Sequence, residues 1–243
     1  MSGHSKWNNI KRKKEKTDAQ KAKSFTKIGR EIAVAVRDGG PDPSSNGRLR
    51  DAIAKAKAAN VPTENIERTI KKSVVDKAEY ETIIYEGYTA GGVAVMVETL
   101  TDNRNRTASN MRYYFDKNGG NLGTTGCVSF MFTKTGSIVV ETAGMDQDTV
   151  MEHCFESGAL DISFDDGVAE ITTNADDLRK VREFFEEKGY RFLSAENAFE
   201  ASNYITIDDK GQLKQIESLF ERFDDDDDVQ DYWHNLGNVE GLS

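Results

Sequence analysis

VAVMVETL, residues 93–100, is followed by TDNRNRTASNMRYYFDKNGGNLGTTGCVSFMF, residues 101–132, and the period changes along the way. Val93, Val95, Val97 and Thr99 share one side of an extended chain, and Ala94, Met96 and Leu100 share the other. A strand apolar on most of both faces belongs inside a sheet. Residues 103–118 then repeat at helical spacing, with Ala108, Met111 and Phe115 as the inner stripe. Gly119-Gly120-Asn121-Leu122-Gly123 predicts a turn, and 127–132 a second strand with Val128, Phe130 and Phe132 on one face. Strand, helix and strand make a β-α-β unit.

Upstream the chain is helical. Ala22, Phe25, Ile28, Ile32 and Val36 recur every three or four residues across 17–37, and Asp38-Gly39-Gly40-Pro41-Asp42-Pro43 ends that helix. A second helix carries Leu49, Ala52, Ile53 and Ala56. Pro62 suits the first turn of a third, with Ile66, Ile70 and Val74. Ahead of this bundle, residues 1–16 hold too few apolar side chains to pack and read as a mobile arm.

Downstream, alternation predicts strands at 138–140, 168–172, 190–196, 204–207 and 229–236. Helical spacing predicts helices at 148–157, 175–188 and 212–223. The expected architecture is α and α+β multidomain: a three-helix bundle, then two α+β domains of ferredoxin-like βαβ type, one inserted in the other. The expected boundaries are 1–78 for arm and bundle, 79–132 plus 204–243 for the host domain, and 133–203 for the insertion.

Charge is unevenly distributed. The chain carries a formal net charge of −10, yet its first thirty residues hold ten Lys and Arg against two acids. Through Lys72 the balance is +10, and from Ser73 onward it is −20. Screening confines a charge to about 8–10 Å at physiological salt, so a basic segment acts independently of a distant acidic one. A cationic arm on an anionic body fits a phosphate backbone as partner. No run of eighteen apolar residues predicts a membrane span, and no apolar leader core precedes the basic arm. Two cysteines make no disulfide framework, which suits a reducing cytoplasm.

Gly3-His4-Ser5-Lys6-Trp7 and Asn9-Ile10-Lys11 strongly resemble the opening of the YebC/PmpR family. The likeness extends to Asp18, Lys21, Lys23, Phe25, Glu31-Ile32 and Pro62. It continues through Tyr85-Glu86-Gly87-Tyr88, Thr101-Asp102-Asn103-Arg104-Asn105-Arg106-Thr107 and the glycine turn before Phe130. The resemblance implies a helical first domain and two α+β domains, the last inserted in the middle one. It also implies regulation of gene expression. Bacterial members are described as transcriptional regulators, and eukaryotic relatives as mitochondrial translational activators.

The candidate nucleic-acid contacts are Lys6, Trp7, Lys11, Arg12, Lys13, Lys14, Lys16, Lys21, Lys23, Lys27, Arg104 and Arg106. The lysines and arginines would hold phosphates. An exposed Trp7 would stack on an unpaired base, a contact of about 1–3 kcal/mol. The alternative for Trp7 is a hydrophobic clamp of the arm onto the bundle. Arg104 and Arg106 sit where a strand hands over to a helix, a place for phosphate; the alternative is that Asp102 caps the helix and the arginines pair with acids. His4, His153 and His234 are scattered, and adjacent His153 and Cys154 diverge by about 100° on a helix. No metal, cofactor or catalytic constellation is expected, and 224–228 reads as a solvated acidic loop. The expected function is a non-enzymatic nucleic-acid-binding regulator, with ribosomal RNA and the ribosome preferred over promoter DNA because no helix offers side chains spaced for base edges.

Overall fold

The structure is a computed structural model that describes Trp7 and residues 18–75, 79–165, 167–239 and 242, with the backbone alone for 18–23. The chain divides into two compact units, Lys16–Met131 with Asn203–Ser243, and Met1–Glu15 with Phe132–Ser202.

The larger unit begins with helices α1 (Asp18–Gly39), α2 (Gly47–Ala58) and α3 (Thr63–Val75). Ile28, Ile32, Ala35 and Val36 of α1 pack on Leu49, Ala52 and Ala56 of α2 and Ile66 of α3. Ile28, Ile32, Val36, Leu49, Ala52, Ala56 and Ile66 are buried as predicted; Phe25 is half-buried, Val74 is exposed, and the side chain of Ala22 lies outside the described ones. The turn between α1 and α2 is fixed by buried Asn46. Its side chain donates to the Ala35 and Gly40 carbonyls at 2.7 and 2.8 Å and accepts from Leu49 N at 3.0 Å. One side chain thereby ends α1 and caps α2.

The same unit then forms β1 (Glu81–Tyr88), β2 (Ala94–Thr101), α4 (Arg104–Lys117) and β3 (Asn121–Leu122), and after residue 203 adds the helix Lys210–Asp225 and the strand Val229–His234. The sheet order is β3, β1, β2 and Val229–His234, with every pairing antiparallel. Since β1 runs against both β2 and β3, the latter two are mutually parallel and α4 crosses between them, a split β-α-β unit. Val95, Val97, Met111, Phe115, Ile216, Phe220 and Tyr232 share its core.

The smaller unit contains β4 (Phe132–Glu141), α5 (Gln147–Ser157), β5 (Asp161–Asp165), β6 (Val168–Asn174), α6 (Leu178–Glu187) and β7 (Arg191–Ala201). In chain order the helix Lys210–Asp225 is α7 and the strand Val229–His234 is β8. The second sheet runs β5, β6, β4, β7, again antiparallel throughout. Two interleaved split β-α-β units in the sequence βαββαβ make this the ferredoxin-like arrangement. Ile138, Val140, Ala169 and Ile171 pack under Val150, Cys154, Val181 and Phe185 of its helices.

The expected fold class is thus present, with corrections to individual elements. Residues 127–132 are not a strand: Ser129–Met131 form a 3-10 turn, Phe130 is 76% exposed, and Phe132 opens β4 of the other sheet. The expected strand at 204–207 shrinks to one bridge, Ile205 with Leu236. Strands β1 and β5 were not foreseen. Neither shows clean alternation, because β1 buries only Glu86 and Gly87, and β5 is a half-buried edge strand.

Candidate nucleic-acid interface

Of the nominated arm residues, Lys6, Lys11, Arg12, Lys13, Lys14 and Lys16 lie outside the described residues, as does His4. Lys21 and Lys23 lie on the first turns of α1.

Trp7 differs from the exposed indole expected of it. It is 5% exposed and packs within the smaller unit on Val139, Val168 and Leu193. Its ring Nε1 donates to Asp165 Oδ2 at 2.8 Å and its backbone N to Glu170 Oε2 at 3.3 Å. The clamp alternative therefore describes its geometry, but on the second sheet rather than on the bundle.

Lys27 and Arg106, whose side chains are described, already hold partners. Lys27 Nζ donates to the Phe223 and Asp224 carbonyls at 3.2 and 3.1 Å, satisfying the C-terminal end of α7. Arg106 Nη2 donates to Asp228 Oδ2 and Asp102 Oδ1, each at 2.8 Å. Arg104 reaches Glu81 at 3.3 Å from an exposed position, an interaction worth little in water. The helix cap is Asn103, which accepts from Arg106 N at 3.1 Å; Asp102 pairs with the arginine instead.

These contacts converge on Asp228, whose side chain is 4% exposed. Besides Arg106 it receives Arg30 of α1, Thr107 Oγ1 at 2.7 Å and Thr101 Oγ1 at 3.2 Å. Burial pushes its carboxyl up, but hydrogen bonds from Arg106, Thr107 and Arg30 outweigh that and hold it below the usual carboxylate range. Arg30 also donates to the Leu100 and Asp227 carbonyls at 3.1 and 2.8 Å. Asp226 accepts from Asn110 at 3.2 Å and from the Tyr114 hydroxyl at 3.0 Å. The acidic run is therefore a clasp between α1, α4 and the β8 edge, which corrects its reading as a solvated loop. An open cavity of about 550 Å³ beside it is lined by Arg30, Arg106 and all four aspartates 225–228, a poor seat for phosphate.

Glu86 is the other buried carboxylate, and it accepts from Gly126, Val128 and Ser129 N at 2.8, 2.9 and 2.8 Å. Burial raises its pKa, and the three backbone donors, with Ser129 Oγ, more than reverse that.

The bundle adds cations the sequence reading passed over. Lys57, Arg68, Lys71 and Lys72 are exposed, and none pairs with an acid among the described residues; Arg68 bonds only the Asn65 amide oxygen, at 2.9 Å. On α3 the last three lie opposite Ile66 and Ile70, with Glu64 on the same side one turn nearer the N-terminus. A helical projection would have found them, but the denser lysines of the arm dominate the charge pattern.

Of the remaining chemistry-bearing side chains, His234 and Cys154 are buried and His153 and Cys127 half-buried. His153 Nδ1 and the Tyr190 hydroxyl are 2.8 Å apart. His234 is buried and stacked on Phe220, ring centroids 4.7 Å apart. Burial pushes the Cys154 thiol up to about 11, and burial followed by the Glu86 charge raises that of Cys127. Among the described residues no three His, Cys, Asp or Glu gather as a metal site, and no helix is long and apolar enough to cross a membrane.

Comparison with known proteins covers nearly the whole chain. Residues 5–75 match the family model described as the TACO1/YebC protein N-terminal domain, and residues 80–236 the model of the TACO1/YebC second and third domain. A "Probable transcriptional regulatory protein" of Acetivibrio thermocellus is 53% identical, spanning 97% of this chain and 98% of its own. One of the same name from Finegoldia magna is 48% identical over 98% of this chain and the full length of its own. The crystal structure of a conserved hypothetical protein from Aquifex aeolicus superposes with a TM-score of 0.84 at 42% identity, covering 91% of this chain and 92% of that one. A helical N-terminal region, two four-stranded α+β sheets and end-to-end matches at this identity leave one assignment: the chain belongs to the TACO1/YebC family.

Proposed function

We propose that this protein is a non-enzymatic regulator of gene expression that grips nucleic acid through phosphate contacts, acting on ribosomal RNA. The contacts come from Lys6, Lys11, Arg12, Lys13, Lys14 and Lys16 of the arm, Lys21 and Lys23 of α1, and Lys57, Arg68, Lys71 and Lys72 of the bundle. The observation that carries this reading is charge segregation: +10 through Lys72 against −20 beyond it. Lys27 and Arg106 bond α7 and Asp228, so their replacement reads out first in stability. The pKa of both cysteines is raised, which disfavours the thiolate that a cysteine nucleophile needs.

The test is the salt dependence of binding to a ribosomal RNA fragment and to duplex DNA. Replacing Lys11, Arg12, Lys13 and Lys14 by Ala is expected to flatten log affinity against log salt by about 0.7–0.9 for each phosphate no longer neutralised. An unchanged slope overturns the assignment of the arm. A second reading, a promoter-binding transcriptional regulator, is favoured by the printed names of the relatives. A defined DNA footprint that survives excess competitor, without co-sedimentation with ribosomes, would establish it instead.

A further inference from the structure

Helices α5 and α6 pack on one side of the second sheet. Ile138, Val140, Ala169 and Ile171 point into the core under α5 and α6, so Val139, Val168 and Glu170 point to the opposite side. On that side Val139 lies directly across from Glu170, and Val168 from Asp165. The result is an apolar floor with two carboxylates at its rim. Trp7 occupies it, its ring NH on Asp165 and its backbone NH on Glu170, whose other oxygen accepts from Ser137 at 3.1 Å. The tryptophan comes from the most cationic stretch of the chain, with Lys6 beside it and Lys11-Arg12-Lys13-Lys14 four residues on. Aromatic anchor and charge both match the slot.

We propose that the face of β4–β7 opposite α5 and α6 is a docking site for this chain's own basic arm, entered by Trp7, and that nucleic acid competes with this face for the arm. The competition rests on the reading that the arm binds phosphates. An indole that is 5% exposed has no face for a base, so stacking requires that Trp7 leave the slot. The acidic face then acts as an internal counter-ligand: polymer binds only the released fraction, and apparent affinity falls by that fraction.

The experiment uses the full chain labelled with 5-fluorotryptophan. The sequence holds two tryptophans, so ¹⁹F NMR gives two resonances, and a Trp7→Phe variant assigns them. Without polymer, Asp165→Asn with Glu170→Gln is expected to move the Trp7 resonance toward that of a solvent-exposed indole while Trp233 stays put. No movement overturns the docking site. With a ribosomal RNA fragment added to the native chain, the Trp7 resonance is expected to leave its buried position in step with binding. The double variant is expected to bind about three- to tenfold tighter. RNA that binds to saturation with Trp7 unmoved overturns the competition and makes the indole a permanent joint. RNA that fails to bind any variant overturns the phosphate reading and the competition with it, and the polymer-free comparison still decides the slot. Release of Trp7 on dilution would assign the slot to the arm of a second copy and overturn the proposal as stated.

Discussion

At Asp228 two guanidinium groups and two hydroxyls surround a carboxylate that is 4% exposed, while the guanidinium of Arg106 stays 44% exposed. Removing the acid takes the counter-charge from Arg30, which keeps only the Leu100 and Asp227 carbonyls, and takes the carboxylate acceptor from Thr101, while Thr107 retains the Asn103 carbonyl. Asp228→Ala is expected to lower unfolding free energy by about 3–5 kcal/mol, the usual result of breaking a buried pair from one side. Arg104→Ala, which gives up only the exposed pair with Glu81, should cost less than about 1 kcal/mol. Urea denaturation of both variants checks the contrast, and similar costs would refute it. The pH dependence follows from sign. The folded pKa of Asp228 is held below its unfolded value of about 3.9, so its contribution is complete above that value and is lost as pH falls through the folded pKa. The stability gap between the native chain and Asp228→Asn should therefore stay constant from neutral pH down to about 5 and close below about 4. None of this was legible from the acidic run, because its partners Arg30 and Arg106 lie far away in the sequence and only the fold unites them.

The strand β1 shows how a local pattern misleads and what corrects it. Val128, Phe130 and Phe132 alternate as a strand would, yet the Glu86 carboxylate takes the N–H groups of Gly126, Val128 and Ser129 that a ladder would need. Backbone donors satisfied by a side chain are withdrawn from the sheet, so the segment stays a turn. Next to Glu86, Gly87 lets β3 and α4 close over β1; a Cβ there would meet the Asn121 carbonyl oxygen at 2.6 Å and the Phe115 ring at 2.8 Å. The motif Tyr85-Glu86-Gly87-Tyr88 is thus explained by two neighbouring demands, one electrostatic and one steric. Gly87→Ala is expected to cost about 1–3 kcal/mol through overpacking. Glu86→Gln should loosen residues 123–129, and hydrogen exchange there should speed up while exchange in α4 holds. Equal protection of that turn in both proteins would show that the carboxylate does not anchor it. Helices were easier to read than these strands, because a 3.6-residue stripe such as Ile28, Ile32 and Val36 needs no distant partner to be recognised.

For the molecule as a whole, insertion has a geometric signature. Phe132, the first residue of β4, and Ala201, the last of β7, are direct cross-strand partners. The chain therefore enters and leaves this unit at neighbouring points. The larger unit's own strand pairing was not legible in the sequence, since β8 joins β2 only after residues 132–202 have been read. Deleting residues 132–202 and closing the gap with about five Gly and Ser residues should leave a host that unfolds cooperatively, because loop closure at that length costs little. The excised 132–202 should also fold alone, its core of Ile138, Val140, Ile171, Val181 and Phe185 being complete without the rest. Circular dichroism and urea melts of the two products check this, and an excised unit without a cooperative transition would show that it borrows stability from the host. The deletion also removes the slot for Trp7 and leaves the arm in place. If arm and acidic face compete, the shortened protein should bind the ribosomal RNA fragment more tightly than the full chain, by at least the factor seen for the Asp165→Asn, Glu170→Gln variant. Tighter binding in the variant but not in the deletion would separate the loss of negative charge from the release of the arm, since only the deletion abolishes the site outright.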